Sequence, residues 1–135
     1  MNTTVSRALN SYNDVSNTDR QTQDPKELVS LLFNGLTDRI AGAIAALARG
    51  DRAARGEYIS KAQKILFGLI DSLDYESGGD IAVNLGRLYE YSIRRLTEAH
   101  VSEDEEILAE IMDIASGIRD AWNKIPTKGN LSASQ

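Results

Sequence analysis

The residues that could do chemistry in this chain are few, and their spacing does not form a catalytic centre. The sequence contains one histidine and no cysteine. This inventory argues against Ser-His-Asp, Cys-His and most zinc centres. A di-iron helical bundle would need two Glu-x-x-His motifs, whereas Glu98 stands only two positions before His100. We interpret His100 as a capping or surface residue near a helix C-terminus, where a positive charge is mildly favoured.

Two further motifs resemble ligand sites only in part. The run from Ser77 to Asp80, which contains Gly78-Gly79, lacks the Gly-Lys-Ser/Thr ending and the preceding strand of a phosphate loop. The acidic run 103–106 lacks the alternating ligands and central glycine of a calcium loop. No carboxylate lies on an apolar helix face, where burial would raise its pKa for acid-base work. We therefore expect no enzyme activity, no metal site and no cofactor.

Composition narrows the class of protein further. A length of 135 residues suits one domain, and the absence of cysteine gives no sign of a disulfide framework. A net charge of −5 argues against a protein that binds nucleic acid through phosphate contacts. We find no apolar run near the roughly 20 residues of a membrane span, and no signal-peptide core. The sequence predicts a soluble, intracellular protein without membrane insertion.

The elements that must position these residues are helices. Turn-forming residues are sparse, and the segments between them place their apolar side chains at helical rather than alternating spacing. Because short connections make neighbouring helices antiparallel, we predict an all-α, up-and-down four-helix bundle. It occupies residues 24–125, with helices at about 25–49, 52–74, 80–100 and 103–125.

Several residues are of types that commonly begin or end a helix. Asp24 followed by Pro25 predicts a helix start, and Gly50 predicts a left-handed helix end with Asp51 capping the next helix. Ser102 begins the capping box Ser-Glu-Asp-Glu. The pair Gly78-Gly79 predicts a turn that requires positive φ.

The two ends of the chain differ from the bundle. Residues 1–23 form a polar arm that contains Leu9 and Tyr12, and residues 126–135 form a short polar tail. We expect a flexible arm and a disordered tail. Two interpretations of the arm remain open. It is either a random polar segment or a segment that docks weakly on the bundle and can leave it.

Some apolar residues project away from the predicted core. Leu31, Phe67 and Val83 lie off the apolar faces, and Tyr91 lies at an edge. Scattered exposed apolar residues are normal, but several together in a small acidic bundle also suit a docking surface for another chain. Such a surface allows weak homodimers when no partner is bound.

A longer motif resembles a known family. The central run is Ser72-Leu73-Asp74-x-Glu76-x-Gly78-Gly79-Asp80-Ile81-Ala82-x-Asn84-Leu85-x-x-Leu88-Tyr89-x-Tyr91. It is similar to the signature of the flagellin-specific secretion chaperones of the FliS family. Further landmarks agree in order and spacing, namely Tyr12, Pro25-x-Glu27-Leu28, Leu32-Phe33-x-Gly35, Gly50-Asp51, Lys61-Ala62, Arg95-Leu96 and Ala121-Trp122. The departures are mild, at Asp24, Asn34, Glu90 and Ser92.

The resemblance implies a function. Members of this family are cytosolic four-helix chaperones that bind the disordered C-terminal segment of flagellin, prevent premature polymerisation and deliver it to the export gate of the flagellar secretion apparatus. In the family the N-terminal arm, including the position of Tyr12, is thought to cover part of the client surface. Asn84 either bonds the client backbone or caps the Gly-Gly turn. The expected client-binding residues are Tyr12, Leu31, Phe67, Val83, Asn84 and Tyr91.

Two other classes of protein remain as alternatives. An enzyme or ligand-binding bundle would need polar groups inside the core, and only Ser92 and tyrosine hydroxyls qualify. A regulatory adaptor would bind another flagellar protein, such as an anti-sigma factor, through the same hydrophobic surface.

Overall fold

The computed structural model describes residues 24–125 and places them in four α-helices. In chain order these are α1 (Pro25–Ala48), α2 (Arg52–Asp71), α3 (Tyr75–Ser102) and α4 (Glu105–Asn123). Each helix packs against its neighbours in sequence, and α4 returns to pack against α1. The predicted all-α four-helix bundle is confirmed, and no strand occurs within residues 24–125.

The core consists of aliphatic side chains at helical spacing. On α1, Leu28, Leu32, Leu36 and Ile40 recur every four residues, and all four are buried. Burying a side chain of this size stabilises a fold by roughly 1.5–3 kcal/mol. The other helices add a matching set that meets the α1 stripe in one cluster, which includes Ile59, Ile65, Leu66, Leu69, Tyr89, Leu96, Leu108 and Ile111.

An aspartate caps the start of every helix. Asp24 accepts from the Lys26 amide and Asp51 from the Ala54 amide, both at 3.0 Å, as the sequence predicted. α4 is capped by Asp104, which accepts from the amides of residues 106 and 107. The prediction that Ser102 caps this helix is wrong. Ser102 is the last residue of α3, and its Oγ donates to the carbonyl of residue 98, so it is not available to α4.

The connection between α2 and α3 is shorter than the sequence predicted. α2 ends at Asp71 rather than near 74, and α3 begins at Tyr75 rather than near 80. The cause is Asp74, whose carboxylate accepts from the amides of residues 76 and 77. This cap allows α3 to begin about one helical turn before the glycine pair. Gly79 then breaks the helix at φ 51° and ψ −127°, so the predicted positive φ is confirmed there.

The charged side chain of Arg55 is buried at the end of the bundle opposite to the connection between α2 and α3. Arg55 is 1% exposed, and its Nε donates to Nδ1 of His100 at 3.0 Å. This contact corrects the interpretation of His100 as a capping or surface residue. It also corrects the expectation that only Ser92 and tyrosine hydroxyls lie in the core. Arg55 stands four residues before Ile59 and so occupies a position on the core face of α2.

α1 is long and apolar enough to cross a membrane by length and composition, which corrects the expectation that no segment approaches this limit. It is the one helix within residues 24–125 that passes this test. A core helix of a water-soluble bundle passes the same test, and the stripe from Leu28 to Ile40 is buried against the other helices. The finding is therefore weak evidence for a membrane span.

Candidate functional site

An apolar groove opens at the end of the bundle where α1 and α3 begin and α2 and α4 end. Its volume is about 620 Å³. The side chains that line it are almost all apolar, and they come from all four helices: Val29, Phe33, Leu69, Ser72, Leu73, Asp74, Ser77, Gly78, Ile81, Ala82, Leu85, Tyr89, Gly117, Ile118, Ala121, Trp122 and Ile125.

The groove exists because α3 and α4 separate at this end. Of the four pairs of adjacent helices, the pair α3 and α4 makes the least extensive contact. Their apolar faces stay apart, and the buried side chains of Phe33 on α1 and Leu69 on α2 lie at the floor of the groove between them. Ile81 at the rim is 72% exposed although it lies on the apolar face of α3. A face built for burial thus remains open, which is the usual sign of a binding surface.

The α3 wall is shaped by the turn that precedes it. Hydrogen bonds from residues 77 and 76 lower the pKa of Asp74 and keep its carboxylate at the helix start. A Cβ on Gly86 would lie 3.2 Å from the Tyr75 hydroxyl and 3.4 Å from Leu73. The glycine therefore lets both side chains lie close against α3. Beyond this contact, the outer part of the wall is formed by Ile81 and Leu85.

The α4 wall is tied to the start of α1 by Trp122. Its Nε1 donates to the carbonyl of Lys26 at 3.2 Å and to Oγ of Ser30 at 3.1 Å. The indole lies 6.2 Å from the Phe33 ring, and the Lys26 ammonium lies 5.2 Å from the indole. Trp122 is half-buried and lines the groove.

The inner end of the groove is closed by Tyr89. Tyr89 is 3% exposed, and burial raises the pKa of its phenol. Two residues further along α3, the Tyr91 hydroxyl donates to Oε2 of Glu110 on α4 at 2.6 Å. This hydrogen bond raises the pKa of Tyr91. Arg95 donates to the other carboxylate oxygen of Glu110 at 3.5 Å.

The described residues that the sequence singled out for client binding lie outside the groove lining. Tyr12 is outside the described residues. Phe67 and Val83 are 55% and 38% exposed on α2 and α3, Asn84 is exposed, and Leu31 and Tyr91 are half-buried. The structure does not place any of the five described residues in the lining of the groove.

Phe67 and Val83 lie at different heights along the bundle. Gln63 of α2 donates to the Ile93 carbonyl of α3 at 2.9 Å, which fixes the level of the two helices. From the rise of a helix, Val83 lies on the order of 10 Å nearer the groove end than Phe67. The two residues therefore mark a path along the outer surface rather than one patch.

Sequence reasoning missed the groove because its lining residues sit on core faces. Ile81, Leu85 and Tyr89 belong to the apolar stripe of α3, and a stripe does not tell how closely the next helix approaches. A usable signal did exist. The family-like motif runs from Ser72 to Tyr91, and much of it lies along the groove wall. Within residues 24–125, no three His, Asp or Glu side chains are grouped so that they could share a metal ion.

Comparison with known proteins shows that the chain matches a protein family. The family model described as "Flagellar protein FliS" matches residues 8–129. This range contains all four helices and the groove.

Individual relatives agree with the family match. The chain is 39% identical over 112 residues to a protein named "Flagellar secretion chaperone FliS" from Salmonella typhimurium, which covers 82% of this chain and 83% of that protein. It is 39% identical over 121 residues to "Flagellar secretion chaperone FliSB" from Pseudomonas aeruginosa, covering 88% and 95% respectively. It is 32% identical over 130 residues to the Vibrio cholerae protein named "Flagellar secretion chaperone FliS", covering 95% and 96%.

Proposed function

This chain belongs to the FliS family, and from that premise we propose that it is an export chaperone that binds the disordered C-terminal segment of flagellin. The observation that carries the proposal is the open apolar groove between α3 and α4. A surface lined almost wholly by apolar side chains favours an apolar partner, because burial removes both surfaces from water.

The dimensions of the groove suit a short amphipathic helix. Beyond the break at Gly79, the lining on α3 extends from Ile81 to Tyr89, which corresponds to about 12 Å of helix. A client helix of about two turns would match this length and place apolar residues at i, i+3, i+4 and i+7 against the floor. A disordered segment binds in this way because the apolar contact offsets the entropy lost on ordering.

We place the rest of the client segment on the outer surface of α2 and α3. It would leave the groove and run in extended form past Val83 toward Phe67, with Asn84 available to bond its backbone. Leu31 and Tyr91 complete the proposed contact set. All five lie within the described residues, and Phe67, Val83 and Asn84 are exposed there.

Covering this segment explains the chaperone role. While its C-terminal segment is held, flagellin cannot use it to polymerise, and the complex can be delivered to a component of the flagellar export gate. Because a secretion chaperone meets its client before export, we place the protein in the cytoplasm. Its work is binding, with no catalytic step.

The N-terminal arm would act as a competitor for this surface. Tyr12 and the rest of residues 1–23 lie outside the described residues, but the arm joins α1 at Asp24, next to the groove. An arm that covers the client surface lowers the apparent affinity by the fraction of molecules in which it is docked.

A binding titration tests the proposal. The full chain is titrated calorimetrically with a peptide of the flagellin C-terminal segment, and Trp122 emission is followed in parallel, since the chain contains one tryptophan. We expect saturable binding with a shift in emission, and no response to a scrambled peptide of equal composition. If the segment does not bind but an anti-sigma factor does, the proposal is wrong and the protein is a regulatory adaptor.

A further inference from the structure

A polar cluster joins α3 to α4 at the inner end of the apolar groove. The Tyr91 hydroxyl donates to Oε2 of Glu110 at 2.6 Å, and Nη2 of Arg95 donates to Oε1 of Glu110 at 3.5 Å. The Arg95 guanidinium also stacks 5.9 Å from the centre of the Tyr91 ring. Hydrogen bonds to a carboxylate are stronger and more directional than those between neutral groups.

The position of this cluster relates it to the groove. Tyr91 follows Tyr89, the last groove residue on α3, and Glu110 lies two helical turns before Gly117, the first groove residue on α4. Within residues 24–125, the side-chain hydrogen bonds between α3 and α4 all converge on Glu110. The two helices are therefore tied where the groove stops and untied along its length.

We propose that Tyr91, Arg95 and Glu110 form an adjustable clasp that sets the separation of α3 and α4 and thereby the width of the groove. This inference rests on the proposed function for the identity of the client, but not for the position of the helices. Tyr91 then acts as a positioning residue, through Glu110, rather than only as a client contact.

The clasp has room to tighten. Nε of Arg95 is the one buried side-chain nitrogen or oxygen within residues 24–125 that has no hydrogen-bond partner. A small approach of α4 would bring the Glu110 carboxylate within reach of Nε as well as Nη2, and this two-pronged geometry is the one that arginine favours. Because an unpartnered buried N–H is unfavourable, closing the groove around a client also satisfies this donor.

Distances measured in the free protein test the clasp without any client. The chain has no cysteine, so Arg87→Cys on α3 and Asp120→Cys on α4, both at exposed positions, can carry spin labels alone. In a Tyr91→Phe background we expect the distance distribution between the labels to broaden and its mean to lengthen. A distribution unchanged from that of the parent protein would overturn the inference.

A matched variant controls for the loss of an arginine contact. Glu98 also accepts from Arg95, at 2.7 Å, but both residues lie on α3. Glu98→Ala should therefore leave the label distances unchanged, whereas Glu110→Ala, which removes both acceptor oxygens, should broaden them as Tyr91→Phe does. Equal effects of Glu98→Ala and Glu110→Ala would show that cross-helix tethering is not the cause.

Affinity for the client completes the test. Tyr91→Phe and Glu110→Ala should each weaken binding of the flagellin C-terminal peptide by about tenfold, and the double variant should lose little more, because both remove the Tyr91–Glu110 hydrogen bond. Glu98→Ala should stay within about twofold. If the unaltered chain does not bind this peptide, the proposed function fails while the label distances still judge the clasp. If it binds and Tyr91→Phe binds equally well, the clasp is refuted.

Discussion

The buried guanidinium of Arg55 is held by His100 alone among the described residues, through two hydrogen bonds. Nε donates to Nδ1 of the imidazole at 3.0 Å, and Nη2 donates to the His100 carbonyl at 3.2 Å. A Cβ on Gly56 would lie 3.2 Å from the same ring, which shows how closely the imidazole packs on α2. This arrangement requires a neutral histidine, since a protonated ring has no free acceptor.

The first prediction is a loss of stability at mildly acidic pH. Burial lowers the pKa of His100, Arg55 and Arg52 lower it further, and Glu103 opposes them. The folded-state pKa therefore lies below the unfolded value of about 6.5, so the unfolded chain takes up the proton first as pH falls. We expect urea stability to be flat above about pH 7 and to decrease as pH falls below about 6.5.

A non-titrating replacement provides the control. In His100→Gln, the amide oxygen can accept from Arg55 without binding a proton. Its stability should change much less between pH 7.5 and 5.5 than that of the unaltered chain. An identical slope in the two proteins would show that other groups cause the pH dependence.

The second prediction concerns the break in α3. Gly79 adopts φ 51° and ψ −127°, a conformation open to glycine and strained for other residues. Gly79→Ala should therefore destabilise the fold by about 1–3 kcal/mol although no atom lies within 4 Å of the added methyl. Gly117→Ala is the matched control, because Gly117 is helical and its added methyl also meets open space. It should stabilise α4 by roughly 0.5–1 kcal/mol, and chemical denaturation of both variants measures the contrast.

The third prediction separates the groove from the outer surface of α2 and α3. Ile81→Ser removes a groove contact that is 72% exposed, and Phe67→Ser removes an outer contact that is 55% exposed. Neither should lower the melting temperature by much, because neither side chain is buried. Each should weaken binding of the flagellin C-terminal segment, by about tenfold for a central contact, as measured calorimetrically. Unchanged affinity in folded Phe67→Ser would remove the outer surface from the proposal and leave the groove.

The fourth prediction concerns the arm. Deletion of residues 1–15 should tighten the affinity for the flagellin segment or leave it unchanged, because a competing segment is removed. Calorimetry of the deleted and full-length chains gives the comparison. A large loss of affinity would show instead that Tyr12 contacts the client directly.

The sequence was sufficient for the architecture because its signals are local. Asp24 and Asp51 cap the helices that they were predicted to cap, and Gly50 and Gly79 adopt the predicted positive φ. The errors occur where two local signals compete. Ser102 could cap α4 or continue α3. Its Oγ donates to the carbonyl of residue 98, so Ser102 is part of α3.

The site was harder to predict because it depends on distances between helices. Phe67 and Val83 stood out by lying off the apolar faces, whereas the groove is lined by residues such as Leu85 that lie on them. Periodicity identifies an apolar face but not whether another helix covers it. The Tyr91–Glu110 contact could not be predicted for the same reason, since the residues are 19 positions apart on different helices.

The bonds from Trp122 to Lys26 and Ser30 have a practical consequence for handling the protein. They hold the start of α1 against the end of α4, so the chain enters and leaves the bundle beside the apolar groove. A tag or fluorescent fusion joined directly before Asp24 or directly after Ile125 would therefore be attached beside the mouth of the groove. The exposed turn at Gly50, between α1 and α2, lies at the opposite end of the molecule and is the better attachment point for surface immobilisation.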